Sequence, residues 1–439
     1  MAKVVVQENV ERSRSPFAIP HSILGIMTVL ALVAGLLGLK GFNRSPDRSG
    51  DQVPRVTLSS KVFVPAGPYG VGVTTLHLPA SRGGAAVEVW YPVNRDQAYG
   101  TQASYDVRDV LPAAVLKLIK ADAHVTYPLG GIEGAPVAEG RFPVALFSHG
   151  FSGFNTQSSE LTSHVASWGF VVAAPEHQSR DLTSQIGMLF GTAKTYGPHP
   201  DVADLRATID LLTQVNGQSG SAFEGSLDLS RIAAFGHSAG GKAAEELAVV
   251  DHRVKAFIGL AGASYGGWVK ASGIDAVSPR VPGMIVAAQR DAVVECSEKA
   301  GCGASYTPYG RMLGAYAKLQ TPKRFVGIAN SGHLVFSDIC ALGAGRGGLV
   351  GVGLAAGLPI PEQLGRLGSD GCNGVPSTYL PYRAMGQGDF LAVAKAWPAI
   401  NQVVVAQLRH GLGFDEGTQA LDGLQQAFPG VVQRNLSQP

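Results

Sequence analysis

Six short apolar runs recur between Pro143 and Ala329: Pro143–Ser148 (PVALFS), Phe170–Ala174 (FVVAA), Ile232–Phe235, Val254–Leu260, Met284–Ala288 and Phe325–Ala329. None alternates strictly between polar and apolar, so each suits a strand buried on both faces of a parallel sheet. Helical periodicity fills the gaps, at Gln157–Ser167, Val202–Leu212, Ala239–Val250 and Gly310–Lys318, and Leu391–Leu408 supplies a closing helix. Such alternation with short connections predicts an α/β fold, a mostly parallel, doubly wound sheet with helices on both faces. Val71–Leu78 and Ala86–Tyr91 (AVEVWY) read as two earlier strands. Residues 106–136 and 343–382 exceed ordinary connections and read as insertions near the sheet's edge.

The chain of 439 residues is 45% hydrophobic and 15% charged, enough to bury such a sheet and too charge-poor for a disordered protein. With a net charge of +2 and no Lys/Arg-rich run, it offers no basic surface to nucleic acid. Composition leaves the oligomeric state open.

Residues 1–16 form a short tail before an apolar segment, residues 17–40. Within it Ile23–Leu39 (ILGIMTVLALVAGLLGL) is long enough to cross a bilayer. No small-residue cleavage site follows, which favours a signal anchor over a cleaved signal. Positive charges flank both sides and do not fix the orientation. Residues 41–60 are a polar linker, and residues 61–439 are the expected α/β domain. Cys296, Cys302, Cys340 and Cys372 allow two disulfides, sequence-locally 296–302 and 340–372, or four buried thiols. The short tail and an even cysteine count favour placing this domain outside the cytoplasm, anchored or secreted. No cysteine or histidine pair has zinc-site spacing, so no metal is expected.

Two G-x-S-x-G sequences occur, and context separates them. Gly236-His237-Ser238-Ala239-Gly240 lies between a strand (RIAAF) and a helix opening Lys242-Ala-Ala-Glu-Glu-Leu. A strand–turn–helix elbow exposes a serine hydroxyl at the carboxyl end of a sheet, next to a helix N-terminus that favours negative charge. Gly262-Ala263-Ser264-Tyr265-Gly266 follows a strand, but no helix pattern starts after it, so Ser264 reads as a turn residue.

A serine nucleophile needs a base and an orienting acid, expected in the order Ser, Asp/Glu, His. Beyond Ser238 stand His252, His333 and His410. Only His333 falls in a loop just past an apolar strand, and Asp291 likewise follows Met284–Ala288. Asp275 and Glu295 are the alternative acids. The oxyanion hole is expected from the N–H groups of Ala239 and of Phe151, in the loop after Pro143–Ser148. His149, in the same loop, either supports it or contacts substrate. Phe154, Met188, Phe190 and Trp268 are pocket or core candidates.

The blocks Phe147-Ser-His-Gly-Phe, Phe154-Asn-Thr and Trp168-Gly-Phe-Val-Val-Ala-Ala-Pro-Glu-His resemble the platelet-activating-factor acetylhydrolase group. So do Gly236-His-Ser-Ala-Gly-Gly, Gly67-Pro-Tyr-Gly-Val-Gly and Val87-Glu-Val-Trp-Tyr-Pro. That group neighbours the dienelactone hydrolases and the cutinase-like polyester hydrolases, and the resemblance runs from Gly67 to His333. It implies an α/β-hydrolase fold, Ser238 as nucleophile, His333 as base and Phe151 with Ala239 at the oxyanion hole. One position departs: the acetylhydrolases carry their acid directly after the strand matching Phe257–Ala261, where this chain has Gly262. Asp291 matches the cutinase-like placement instead. The expected activity is a serine ester hydrolase acting on hydrophobic or lipid-like esters without a cofactor. A polyester hydrolase or acyltransferase of the same fold is the first alternative, and a catalytically silent binding protein the second.

Overall fold

A computed structural model describes residues 53–111, 116–117, 126–189, 196–264, 278–295, 309–340, 391 and 393–439. The expected apolar anchor and all four cysteine side chains lie outside the described residues, as do residues 343–382. Among the described residues no helix is long and apolar enough to cross a membrane.

Among the described residues eleven strands form one sheet: β1 Gly70–His77, β2 Ala86–Val93, β3 Gln102–Asp106, β4 Thr126–Glu133, β5 Phe142–Ser148, β6 Val171–Pro175, β7 Leu227–His237, β8 Val254–Leu260, β9 Gly283–Ala288, β10 Lys323–Ile328 and β11 Val432–Gln438. Their spatial order is β11-β10-β9-β8-β7-β5-β6-β2-β1-β4-β3. The six strands from β10 to β6 run parallel. β2 joins β6 antiparallel, and β11 closes the other edge antiparallel to β10. The helices are α1 Ser159–Ser167, α2 Leu182–Leu189, α3 Pro200–Gly217, α4 Ala239–Val250, α5 Ala292–Glu295, α6 Gly310–Lys318, α7 Val393–Gly411 and α8 Leu424–Ala427.

Every residue of β5 is buried, and strand geometry sends neighbours to opposite faces. Ala145 and Phe147 therefore join a core under α1 and α7, where Leu161, Val165, Ile400 and Val404 pack. Val144 and Leu146 join a second core under α3, α4 and α6, with Leu205, Ile209, Leu247 and Met312. This is why the central strands read as continuous apolar runs. Helices cover both faces, as the mixed α/β sheet of an α/β-hydrolase fold requires. The segment 106–136 contains β4, which pairs between β1 and β3 at one edge of the sheet.

Candidate active site

Three turns at the carboxyl ends of the parallel strands supply the expected residues, and each is held by its own hydrogen bonds. Ser238 ends β7 and caps α4 with φ 57° and ψ −121°, a conformation that a non-glycine residue adopts only under constraint. Its N–H donates to Leu260 C=O at the end of β8 (2.8 Å), and its own C=O accepts from Gly241 N–H. The elbow is tight because glycine stands where a side chain would collide. A Cβ at Gly240 would lie 1.8 Å from Ser148 C=O. Ser238 keeps partial exposure at the end of β7, whose last six residues are buried.

His333 begins a short 3₁₀ turn, His333–Phe336, after β10 and is buried. Its Nδ1 donates to Asp291 Oδ2 at 2.8 Å. The other carboxylate oxygen of Asp291 accepts the N–H groups of Val293 (2.9 Å) and Val294 (3.1 Å) at the start of α5. One carboxylate thus caps a helical turn and fixes the imidazole, holding the proton on Nδ1 and leaving Nε2 as the basic nitrogen. The ends of β9 and β10 are stitched together by Gln289 N–H to Ile328 C=O and Arg290 N–H to Ser331 C=O. The His333 ring lies 4.7 Å from that of His237, the residue before Ser238.

Neither alternative histidine comes near. His252 is exposed in the turn after α4, at the far end of the helix that Ser238 caps. His410, in the last turn of α7, donates to Asp415 C=O. Asp275, Phe190, Trp268 and the side chains of Met188 and Glu295 lie outside the described residues. Phe154 is buried in a small cluster with Leu182 and Tyr105.

The loop after β5 sits against the elbow: a Cβ at Gly150 would lie 3.4 Å from Ser238 Cβ. Phe151 follows, its side chain 50% exposed. His149 supports the loop and is fully buried. Its Nδ1 donates to Gly150 C=O and its Nε2 accepts His177 N–H, both at 2.9 Å. Arg180 adds two ties, its guanidinium donating to His149 C=O and its C=O accepting Ser152 N–H. Ala239 heads α4, where the first N–H groups of a helix have no intrahelical acceptor.

A buried Ser-His-Asp chain away from Ser238 was not legible in the sequence. Ser148 Oγ lies 2.9 Å from His177 Nε2, and His177 Nδ1 lies 3.1 Å from Asp204 Oδ2. Burial keeps His177 well below the ordinary histidine range, so it is neutral. Arg180 donates to the same hydroxyl at 2.8 Å, and Ser148 and His177 are both at most 1% exposed. A nucleophile so enclosed meets no substrate; the array is a strut beneath the loop. The Pro-Glu-His block hinted at it, but its serine and aspartate lie 29 and 27 residues from His177.

Ser264 is also structural. Its N–H donates to Glu245 Oε2 (2.7 Å), and the residue is buried in a loop. Burial pushes the Glu245 carboxyl up to about 7, against the pull of that N–H. Between the unfolded carboxyl's range and about 7, the folded state holds a proton that the unfolded state has released. Stability from this group is therefore present at acid pH and lost as pH rises. Glu245→Gln is expected to raise stability at pH 8 by about 1–3 kcal/mol and to change it little at pH 4. Urea midpoints at the two pH values measure this, and an equal shift at both would contradict it.

Gly262, which stands at the acetylhydrolase acid position, is hemmed in. A Cβ there would lie 1.8 Å from Ser238 C=O. Among the described residues no group of three or more His, Cys, Asp or Glu could hold a metal ion.

With this geometry in hand, comparison with known proteins gives a match to the chlorophyllase family over residues 113–264. Chlorophyllase-2 of Arabidopsis thaliana is 31% identical over 117 residues, 26% of this chain and 31% of that protein. The chain thus aligns with under a third of that relative's length. The matched family is not the acetylhydrolase or dienelactone hydrolase group that the sequence blocks resemble, and the matched stretch includes Ser238 but ends before Asp291 and His333. Sheet and match together support an ester hydrolase of the α/β-hydrolase type.

Proposed function

We propose that this chain is a serine ester hydrolase acting on hydrophobic carboxylic esters, with Ser238 as nucleophile, His333 as base and Asp291 as orienting acid. The observation that carries the reading is the strained, partly exposed Ser238 elbow beside a buried His333–Asp291 pair at 2.8 Å. In this mechanism Ser238 Oγ attacks the ester carbonyl carbon while His333 Nε2 takes its proton. The negative charge formed on the carbonyl oxygen meets the N–H groups of Ala239 and Phe151 and the positive end of α4. Collapse of the tetrahedral intermediate expels the alcohol, which takes the proton from the imidazolium. Water then repeats the sequence on the acyl-enzyme and releases the acid. Asp291 Oδ2, bonded to Nδ1, steadies the imidazolium as it forms.

Phe151, half-exposed beside the elbow, and the apolar cluster at Phe154 support an apolar substrate over a charged one. The test is labelling with a fluorophosphonate probe, then hydrolysis of p-nitrophenyl esters across acyl lengths beside a short-acyl phospholipid and a polyester film. Absence of labelling would leave a silent fold. A second reading, hydrolysis of chlorophyll, is favoured by the family match at residues 113–264 and belongs in the same panel.

The proposed partner of residues 17–40 is a membrane, with the catalytic domain outside the cytoplasm. Deleting residues 1–40 is expected to leave a soluble, active enzyme, whereas the full chain sediments with membranes. Full-length protein recovered in the soluble fraction with four reactive thiols would count against the proposal.

A further inference from the structure

The G-x-S-x-G motif leaves its first variable residue without a task, yet His237 is buried and bonded on both ring nitrogens. Its Nε2 donates to His333 C=O (2.9 Å), and its Nδ1 accepts from Gln157 Nε2 (3.0 Å). At the other end of the same amide, Gln157 Oε1 accepts Gly150 N–H at 3.1 Å. The partners fix every orientation: a carbonyl demands the proton on Nε2, and a backbone donor demands the amide oxygen. Gly153 leaves room for this amide, since a Cβ there would lie 2.0 Å from Gln157 Oε1. Two further bonds bind the start of α1 to the base turn: Gln157 C=O accepts Asp338 N–H (2.8 Å), and Ser158 Oγ donates to Phe336 C=O (3.1 Å).

Resting on the triad reading above, we propose that Gln157 and His237 are positioning residues that lock the loop carrying Phe151 to the turn carrying His333, with the serine elbow between them. Neither touches substrate. The oxyanion donor and the base come from segments far apart in sequence, and the amide–imidazole chain makes their spacing a single rigid quantity. Preorganisation of this kind matters because a donor displaced from the developing oxyanion loses most of its effect.

The chain works with a neutral His237. Burial and the neighbouring His333 hold it well below the ordinary histidine range, and Arg180 and His149 push the same way from the other packed segments. The test uses the full chain with a short-acyl p-nitrophenyl ester. Gln157→Leu breaks both bonds and is expected to lower kcat about 10²-fold, with KM changed less than about threefold. Gln157→Glu keeps an acceptor for Gly150 N–H but faces His237 Nδ1 with a carboxyl group, so the link survives only while the two share one proton. Loss of that shared proton at high pH breaks the link, which adds an alkaline limb to the acid limb that any histidine base imposes. The kcat/KM profile of Gln157→Glu is therefore expected to become bell-shaped, where the parent shows one acid limb. Should Gln157→Leu not fold, the Gln157→Glu profile decides, and a single unchanged limb overturns the proposal. Wild-type kcat in both variants, with Ser238→Ala inactive, also overturns it and spares the triad; an active Ser238→Ala would remove the triad reading itself.

Discussion

Ser238→Ala is expected to reduce ester hydrolysis by about 10⁴-fold or more, while Ser264→Ala keeps most of the activity. The two serines share a motif but not an environment. Ser238 holds φ 57° between β7 and α4, next to a helix N-terminus and against the loop at Gly150. Ser264 sits in a loop, its N–H donating to Glu245. Alanine retains the Cβ, so the elbow conformation persists and the loss reports the hydroxyl alone. Steady-state rates on a p-nitrophenyl ester, with fluorophosphonate labelling of both variants, measure it. Reversed behaviour of the two would move the nucleophile and the whole site with it.

Asp291→Asn is expected to fold as the parent does and to lose activity by roughly 10⁴-fold. Folding survives because an amide oxygen can still accept the N–H groups of Val293 and Val294. The amide nitrogen then points at His333 Nδ1, donor against donor, and drives the proton to Nε2. A histidine in that tautomer cannot take a proton from serine. Asp275→Asn and Glu295→Gln are each expected to cost less than about tenfold. Retained activity in Asp291→Asn, with a large loss in either of the others, would relocate the acid.

The legible elements share one physical property. Strands such as β8 (Val254–Leu260) and helices such as α4 (Ala239–Val250) carry their burial in their own side chains, so periodicity marks them with little error. β11 (VQRNLSQ) has mostly exposed side chains and exists through its backbone pairing with β10, which leaves no trace in composition. β4 (TYPLGGIE) carries Pro128 and two glycines, a turn-like signature, yet pairs with β1 and β3. The same division runs through the candidate site. Ser238, Asp291 and His333 each follow an apolar strand, and strand ends are where an α/β sheet presents its chemistry. Gln157, His237, His177 and Asp204 are polar residues that meet across the chain: 80 positions separate Gln157 from His237, 27 separate His177 from Asp204, and 96 separate His237 from the His333 carbonyl. No local pattern encodes such a meeting; only the packed sheet does.

The crowding at Gly262 constrains how an α/β-hydrolase sheet of this kind can change. With glycine after β8, the backbone there has closed on Ser238 C=O to a distance that excludes even a methyl group. An aspartate introduced at 262 would displace the elbow before its carboxylate came within reach of an imidazole. Grafting the acetylhydrolase acid onto this scaffold by a single substitution, or by exchanging Gly262 and Asp291 as a pair, therefore distorts the elbow that carries the proposed nucleophile. The acid is not a portable part: moving it from one strand end to the next commits the surrounding backbone, and the way back requires rebuilding the turn.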